Sequence, residues 1–401
     1  MRILHLNFDD SIGGASRAAI RLHKALLLKK VRSRIIIIKQ NNTEKEVFKF
    51  KNNYDLLNFL KRGFSYILKN IQNFQKLDIH RSYNIFNNQQ LVKYINNSNY
   101  DLVHLHWINS EMISIKDLIK INKKIVWTFH DLWPVLPTQH ITLKNNVNFS
   151  VNSRFENFFY NRKKNLFKKQ KINIICPSNF IYKKIKNSKI IKKNRLEIIS
   201  NTLDKNFWKT INKDFCRKKL GIKKNKKIIL FHMPRKSDDY VKGLDIFKFV
   251  IKNLRINNVE IIILGKQRQN ITSNFKYKVH SYGDIYSKSK LRLLYNSSDL
   301  VLSTSRFESF GQVILEAQFC GVPCIGFENT GLKEIIINNK TGFLIEKNNK
   351  KQMIKKVEHL LSKKKIFVVK KKYLNQIINK FDNKKISADH IQMYKKIINE
   401  E

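Results

Sequence analysis

The sequence predicts an α/β fold with two doubly wound domains, and three observations favour this class. Short apolar runs alternate with longer segments of helical periodicity, which is the pattern of parallel strands joined by crossover helices. The 401 residues and the 42% hydrophobic content suffice for two buried cores. Glycine and proline are scarce, at 12 and 5 residues, and most of them fall in or beside the motifs that follow predicted strands.

The predicted strands form two groups, one in each half of the chain. The first group comprises residues 2–7, 34–39, 101–106, 124–129, 172–177 and 196–199. The second group comprises residues 227–233, 259–265, 279–282, 299–303 and 323–327. We therefore expect a first domain over residues 1–200, a second domain over residues 201–375 and a C-terminal helical segment over residues 376–401.

The chain carries a large positive charge. Lys and Arg total 79 and Asp and Glu total 30, which gives a formal net charge of +49. This excess favours anionic partners such as phosphates, nucleic acid or an acidic membrane surface. Lys, Asn and Ile crowd every part of the chain, however, and a compositional bias explains the charge equally well.

Cysteine usage and hydropathy favour a cytoplasmic protein, either soluble or peripheral on a membrane. The four cysteines are too few and too scattered for a disulfide scaffold. No apolar run approaches the roughly 18 residues of a membrane-spanning helix. The N-terminal segment turns acidic before the core of a signal peptide could form.

The strongest motif follows the predicted strand 299–303, at the sheet edge where ligands of doubly wound domains bind. Ser309 and Gln312 form a capping-box pattern, which predicts that a helix starts at Ser309. The first amide groups of that helix, near Phe310 and Gly311, would offer a diphosphate the positive end of the helix dipole. Gly311 would also let the backbone approach the anion closely.

Two glutamates, Glu308 and Glu316, belong to the same motif. Glu316 would lie about 10 Å along the predicted helix and on nearly the same face as its start. Carboxylates at these two places can hold hydroxyl groups on either side of a bound diphosphate, and a nucleotide sugar has that shape. The alternative is an ordinary amphipathic helix with two solvated glutamates. The preceding strand and the Phe-Gly pair favour a binding site.

A second motif, which contains Arg235 and Lys242, lies between the predicted strand 227–233 and a helix. Fixed cations at this position can neutralise a departing diphosphate, and each such contact is worth about 1.5–3 kcal/mol. In a lysine-rich chain a single lysine is usually solvated, and Lys236 competes with Arg235 for the role.

A glycine pair, Gly13 and Gly14, follows the first predicted strand and precedes a helix that starts at about Ser16. Glycines before a helix N-terminus suit close approach of the backbone to phosphate, and a tight turn explains them equally well. The pair lacks the G-x-G-x-x-G spacing of a dinucleotide site.

Histidines lie in or just after two predicted strands of the first half. His130 follows the strand 124–129 and could hydrogen-bond a sugar hydroxyl, although a single histidine at a strand end is more often structural. His104 and His106 share one face of their strand. No third ligand is spaced convincingly, so we expect no metal.

Together these segments resemble the glycosyltransferases of the GT-B fold, in particular family 4, a large group of retaining enzymes. The likeness covers nearly the whole chain and is strongest over residues 282–345. The segments His-Asp-Leu-Trp-Pro, which starts at His130, and Asp-Leu-Val-His-Leu-His-Trp, which starts at Asp101, resemble the bacterial branch that builds surface polysaccharides. The resemblance implies two Rossmann-like domains that face each other across a cleft, with the C-terminal helix packed back on the first domain.

The resemblance also implies a role for each candidate residue. The residues implied in catalysis contact the donor sugar or the leaving diphosphate, and they are His130, Arg235, Lys242 and Glu308. The residues implied in donor binding contact the ribose, the base, the sugar or the phosphates, and they are Gly13, Gly14, Gly283, Phe310, Gly311 and Glu316. Of these, Glu316 would hold the ribose and Gly283 would lie near the base.

The activity implied is transfer of a sugar from a nucleotide-diphospho-sugar to a glycan or lipid-linked glycan acceptor, with retained anomeric configuration, in surface-polysaccharide synthesis. Cations and a helix N-terminus would stabilise the leaving group in place of a metal, so we expect neither a metal nor a cofactor. The alternatives are a non-catalytic protein of this fold, an anionic-polymer-binding protein, and an epimerase. Nucleic acid is not expected as a partner, because no recognition module is visible.

An apolar stripe at helical spacing predicts an amphipathic helix in the first domain, and its members are Leu56, Leu60, Phe64, Ile67, Ile71 and Phe74. Basic residues lie among them, so the helix could dock on an anionic membrane surface. A helix that faces the core is the alternative.

Overall fold

The chain forms two compact units, each with its own sheet. The computed structural model describes residues 1–10, 13–40, 47–50, 60, 63–65, 67, 80–143, 153–235, 238–266, 275–362 and 367–400. One unit comprises Met1–Thr202 together with the residues from Asn383 onward, and the other comprises Leu203–Asp382. Each sheet is parallel and carries helices, which confirms the predicted α/β class with two Rossmann-like domains.

The first unit is built on a seven-stranded parallel sheet. Its strands are β1 (Arg2–Leu6), β2 (Arg32–Ile37), β3 (Val47–Lys49), β4 (Leu102–Leu105), β5 (Lys124–Thr128), β6 (Ile172–Cys176) and β7 (Leu196–Ile198). They lie in the order β3-β2-β1-β4-β5-β6-β7. The described helices of this unit are α1 (Gly13–Leu28), α2 (Gln89–Asn97), α3 (Ile115–Leu118), α4 (Arg154–Lys169), α5 (Asn179–Ile185) and, near the C-terminus, α12 (Asn383–Asn399).

The second unit is built on a six-stranded parallel sheet. Its strands are β8 (Lys227–His232), β9 (Val259–Leu264), β10 (Lys278–Ser281), β11 (Leu300–Leu302), β12 (Cys324–Phe327) and β13 (Gly342–Ile345), in the order β10-β9-β8-β11-β12-β13. Its described helices are α6 (Lys213–Leu220), α7 (Leu244–Asn253), α8 (Lys288–Ser297), α9 (Gln312–Phe319), α10 (Lys350–Ser362) and α11 (Lys371–Phe381). The strand order reverses at β8, and ligands of such sheets bind beyond the carboxyl ends of strands at this point.

Every predicted strand is present, with ends displaced by two residues at most. The hydrophobic pattern predicts neither β3 nor β13. In β3 only Val47 is buried, so this short edge strand has no apolar run to mark it. The compact units divide after Thr202 and after Asp382, whereas the sequence places the boundaries after residues 200 and 375.

The helix α12 packs against the sheet of the first unit. Met393 of α12 is buried in one cluster with Ile3 of β1. Tyr394, on the same helix, lies with its hydroxyl 2.6 Å from Nδ1 of His104 on β4. Burial holds the pKa of Tyr394 well above its usual value, so the phenol keeps its proton and can donate a hydrogen bond to the histidine.

Replacing Tyr394 by phenylalanine is expected to lower the free energy of unfolding by about 1–3 kcal/mol, because it leaves a buried imidazole nitrogen of His104 without a partner. Chemical denaturation followed by circular dichroism measures the change. Tyr286→Phe is the matched control. Tyr286 is 67% exposed, so water can hydrogen-bond any group that loses the tyrosine hydroxyl, and we expect little change in stability. Equal midpoints for the two variants would contradict the docking role of Tyr394.

The predicted amphipathic helix of the first unit is described only in part. Leu60, Phe64 and Ile67 are helical and half-exposed, while Leu56, Ile71 and Phe74 lie outside the described residues. Among the described helices, none combines the length and the apolar composition that crossing a bilayer requires.

Candidate active site

In the second unit, Lys242 and Glu308 form an ion pair just beyond the carboxyl ends of β8 and β11. Nζ of Lys242 donates to Oε2 of Glu308 at 2.7 Å, and the two side chains are 37% and 20% exposed. Burial acts to lower the pKa of Lys242. The charge and the hydrogen bond of Glu308, together with the charge of Asp238, have a larger effect in the opposite direction, so the pKa is raised. Lys242 is therefore a fixed cation that an anionic ligand can reach.

The backbone around Lys242 is held tightly against the loop that carries Glu308. Oγ1 of Thr304 donates to the carbonyl oxygens of Lys242 and Gly243, at 3.0 and 2.8 Å. Gly243 adopts a φ of +66°, and a Cβ added to it would lie 2.0 Å from the carbonyl oxygen of Thr304. Only glycine fits this position without a shift of the backbone. The two loops therefore approach each other backbone to backbone.

Arg306 fastens the same two loops with its side chain. Its guanidinium donates to both carboxylate oxygens of Asp245 at 2.7 Å and to the carbonyl oxygen of Tyr240 at 2.6 Å. The pKa of Asp245 is raised by burial, but the hydrogen bond and charge of Arg306, with the charge of Lys350, more than offset this and lower it. Bidentate pairs of this kind fix geometry as well as charge.

The start of α9 differs from the prediction. The helix begins at Gln312, and its N-cap is Gly311 in the left-handed conformation, with a φ of +104°. The predicted capping box with Ser309 as cap is therefore wrong. A Cβ on Gly311 would lie 2.4 Å from Cδ2 of Leu332, so this close contact fixes the turn where the helix starts. No side chain forms a cap hydrogen bond at this end of α9, where the positive end of the helix dipole lies.

Glu316 lies in α9 but not at the surface. Its side chain is fully buried, and its Oε2 accepts a hydrogen bond from the hydroxyl of Tyr295 on α8 at 2.8 Å. The same hydroxyl lies 3.0 Å from Nε2 of His232 at the end of β8. Glu308 precedes the helix, and Glu316 lies four residues after its observed start at Gln312. A chain of His232, Tyr295 and Glu316 joins β8, α8 and α9.

The remaining predicted residues of the second unit are spread around the same sheet edge. Phe310 is buried, with its ring 5.6 Å from that of Phe381, so only its backbone is available to a ligand. Arg235 is exposed in the loop after β8, and Lys236 lies outside the described residues. Gly283 follows β10 with a φ of +62°, and a Cβ added to it would meet nothing within 4 Å.

In the first unit, Gly13 and Gly14 are exposed at the N-terminus of α1, which starts three residues earlier than the predicted Ser16. Asn7, just beyond β1, is joined to α1, because its Nδ2 donates to Oγ of Ser16 at 3.0 Å. That hydroxyl in turn donates to Oδ1 of Asp9 at 2.7 Å. The amide end of α1 is thus held just beyond β1.

His130 is partly exposed just beyond the end of β5. Burial lowers its pKa to about 4, against the opposing charge of Asp131, so the ring is neutral at physiological pH. Its Nε2 lies 3.1 Å from Nδ1 of His106. The following loop is fixed by Asp131, which accepts a hydrogen bond from His140 at 2.6 Å, and by Lys163, which donates to the carbonyl of Leu136 at 2.6 Å.

Sequence reasoning missed three of these contributors: His5, Tyr295 and Lys163. His5 on β1 is in register with His104 on β4, and together with His106 it forms a group of buried histidines whose nitrogens lie within 4.8 Å of one another. Such a group could hold a metal. Both nitrogens of His104 are already paired, with Tyr394 and with Oγ1 of Thr128, which favours a hydrogen-bonded cluster.

The buried histidines predict that the first unit loses stability in acid. Burial lowers the pKa of His390, like that of His130, to about 4. Because the folded chain binds fewer protons than the unfolded chain, stability is complete above a pH of about 6.5 and falls as the pH drops toward the folded value. His390 alone is expected to cost about 2 kcal/mol between pH 7 and pH 5.

Denaturation at both pH values tests this expectation with His390→Asn, whose amide can still donate to the carbonyl of Ile386 that His390 contacts at 2.9 Å. The variant should lose less stability in acid than the natural protein. An identical loss would contradict the neutral, buried state of His390.

Two Rossmann-like units built on parallel sheets are the architecture of the glycosyltransferases of the GT-B fold. The sequence agrees with this class, because residues 12–207 match the family described as Glycosyltransferase Family 4, and residues 212–381 match the family described as Glycosyl transferases group 1. The chain belongs to these glycosyltransferases, which confirms the resemblance.

Individual relatives and a solved structure are similar to much of the chain. An uncharacterized 41.2 kDa protein in the cps region of Klebsiella pneumoniae is 24% identical, over 76% of this chain and 81% of that protein. The Escherichia coli UDP-Gal:alpha-D-GlcNAc-diphosphoundecaprenol alpha-1,3-galactosyltransferase is 29% identical, over 47% of this chain and 51% of that protein. The solved structure of sucrose-phosphate synthase from Thermosynechococcus elongatus superposes with a TM-score of 0.70 and 15% identity, over 99% of this chain and 98% of that one, so it is similar in fold.

Proposed function

We propose that the protein transfers a sugar from a nucleotide-diphospho-sugar to a glycan or lipid-linked glycan acceptor in the synthesis of a bacterial surface polysaccharide. The observation that carries this proposal is the pair of Lys242 and Glu308 beyond the strand ends of the second unit. The Klebsiella relative in a cps region and the Escherichia coli galactosyltransferase support the acceptor class. We propose with it a location on the cytoplasmic side of the membrane, where nucleotide sugars are the donors.

The proposed leaving group is a nucleoside diphosphate, whose negative charge grows as the glycosidic bond breaks. Lys242 supplies a full positive charge, and the first amide groups of α9 supply partial charges that need no reorganisation. Arg235 would add a second cation from the same loop, and Gly13 and Gly14 are proposed as further donor-binding residues. With these groups the reaction needs no metal ion.

The proposed contacts with the sugar and the ribose come from carboxylates and His130. Glu308 can accept hydrogen bonds from sugar hydroxyls while it orients Lys242, and His130 would contact the sugar near its anomeric carbon. Glu316 would hold the ribose hydroxyls, beside the base at Gly283. Because Glu316 is fully buried, the groups that cover it must move when the nucleotide enters.

Retention of anomeric configuration is part of the proposal. A retaining enzyme with a covalent intermediate needs a carboxylate nucleophile close to the acid. Here the proposed route is attack on the same face of the sugar, with the leaving phosphate taking the proton of the acceptor hydroxyl. The bond between the sugar and the phosphate breaks, and a bond between the sugar and the acceptor oxygen forms. The proton of the acceptor hydroxyl passes to the diphosphate.

A panel of UDP-, GDP- and ADP-sugars tests the proposal in two stages. Thermal denaturation identifies the donor that stabilises the protein, since a ligand that binds only the folded state raises its melting temperature. Proton NMR of the reaction in the presence of EDTA then follows the donor and the configuration at the anomeric carbon. Turnover without an acceptor to an altered nucleotide sugar would indicate an epimerase, and binding of no donor would refute the assignment.

We also propose that the first unit contacts an anionic membrane surface. Leu60, Phe64 and Ile67 are described as helical residues with half-exposed apolar side chains, and the chain carries a net charge of +49. Flotation with phosphatidylglycerol vesicles should recover the protein at low salt, whereas phosphatidylcholine vesicles should not. Replacing the three residues by serine should abolish flotation, and unchanged flotation of that variant would refute the contact.

A further inference from the structure

A row of three histidines runs from the core of the first unit to His130. Nδ1 of His5 lies 3.0 Å from Nε2 of His106, and Nδ1 of His106 lies 3.1 Å from Nε2 of His130. His5 is fully buried, His106 is 4% exposed, and His130 is partly exposed at the strand end. The row therefore joins a candidate catalytic side chain to a buried end.

Proton counting allows this row only two arrangements. Burial lowers the pKa of all three rings, so each is neutral and carries one proton. Each contact needs one donor and one acceptor. Either His5 donates to His106 and His106 donates to His130, or both hydrogen bonds run in the opposite direction. In the first arrangement the proton of His130 is on Nδ1, and in the second it is on Nε2.

The buried end of the row selects between the two arrangements. Nε2 of His5 is buried and has no hydrogen-bond partner among the residues that the structure describes. In the second arrangement this atom would be an N–H group without an acceptor, and in the first it is a bare nitrogen. Orphaned buried N–H groups are rarer in proteins than orphaned acceptors. The first arrangement is therefore the favoured one.

The neighbouring groups do not change the direction of the two hydrogen bonds between the three histidines. The ring of His104 lies 4.2 Å from that of His106, but its two nitrogens are paired with Tyr394 and Thr128. Asp131, which follows His130, accepts hydrogen bonds from His140 and from the amide of Trp133.

We infer that His106 is a positioning residue that holds the proton of His130 on Nδ1, so that His130 offers its ligand a hydrogen-bond donor and not a base. Nε2 of His130 is occupied as an acceptor, and Nδ1 has no lone pair to receive a proton. The ligand atom that His130 takes is then an oxygen of the sugar or of the phosphates. The inference rests on the proposed function only for the identity of that ligand, because the tautomer is a property of the free protein.

Nitrogen-15 NMR of the ligand-free, histidine-labelled full chain at pH 7.5 reads the tautomer directly. His130→Gln identifies the resonances of His130. We expect the Nδ1–H tautomer of His130 at a population above about 90%, since the opposite arrangement buries an unpaired donor. A proton mainly on Nε2, or an equal mixture of the two tautomers, would overturn the inference.

Variants at the other two positions separate positioning from packing. His106→Phe should release His130 into a mixture of tautomers, whereas His106→Asn, whose amide can donate in place of Nδ1–H, should restore the Nδ1–H form. His5→Phe should leave the tautomer unchanged, because Nε2 of His106 then becomes the bare buried end. An unchanged tautomer in His106→Phe would overturn the positioning role.

Two further results bear on the inference. One zinc ion per chain that is lost in His5→Phe would overturn it, because the nitrogens would then bind metal and not one another. The expected Nδ1–H tautomer in a protein that turns over no donor sugar would support the hydrogen-bonded row and count only against the proposed function.

Discussion

Replacing Lys242 by methionine is expected to lower kcat/KM for donor turnover by about 10²–10³-fold, the loss that follows removal of one group that stabilises developing negative charge. Methionine keeps most of the apolar stem, so the change removes the cation that receives the diphosphate. Steady-state rates with the donor found in the panel measure the effect. Lys248→Met is the matched control, because Lys248 is an exposed lysine on α7 in the same unit and should leave the rate unchanged.

Glu308→Gln distinguishes the charge of the carboxylate from its place in the hydrogen bond. The amide oxygen can still accept the hydrogen bond that Lys242 donates to Glu308 at 2.7 Å, so the lysine remains oriented. We expect a smaller loss of kcat/KM than for Lys242→Met. Most of this loss should come from the weaker contact between residue 308 and the hydroxyl groups of the sugar. Rates equal to those of the natural protein in Lys242→Met would contradict the assigned leaving-group site.

Replacing Gly243 by alanine is expected to lower the free energy of unfolding by about 3 kcal/mol or more, because two costs act together. The left-handed backbone at this position disfavours any side chain, and the new Cβ would lie 2.0 Å from the carbonyl oxygen of Thr304. Chemical denaturation measures the loss. The loop that carries Lys242 must then shift, so donor binding should weaken as well.

Gly221→Ala is the control that separates the two costs. Gly221 ends α6 with a φ of +67°, almost the value at Gly243, but a Cβ there would meet nothing within 4 Å. It should cost only the backbone strain, about 1–2 kcal/mol. Equal losses for Gly221→Ala and Gly243→Ala would show that the approach of the two loops does not matter.

Features that depend on residues close together in the sequence could be predicted. Alternating apolar runs and helical segments predicted the strands of both sheets, because burial on both faces favours continuous apolar stretches such as residues 228–231 of β8. Lys242 and Glu308 could be found because each follows a strand, and parallel strands bring such loops to one edge.

Features that depend on distant contacts could not be predicted. The helix α9 starts at Gln312 and not at Ser309 because the turn at Gly311 packs against Leu332, a contact that local spacing does not reveal. Tyr295 meets Glu316 through the packing of two helices. His5 meets His106 because β1 lies beside β4 in the sheet, so the strand order was needed to find it.

The central claim is that the strand-end site of the second unit binds the diphosphate of a nucleotide sugar. Hydrogen exchange measured by mass spectrometry, with and without the nucleoside diphosphate of the selected donor, tests it most directly. We expect slower exchange in the segments that contain Lys242 and the start of α9 at Gln312, and no such protection with the nucleoside alone. Equal protection by the nucleoside, or protection confined to other segments, would contradict diphosphate binding at this site.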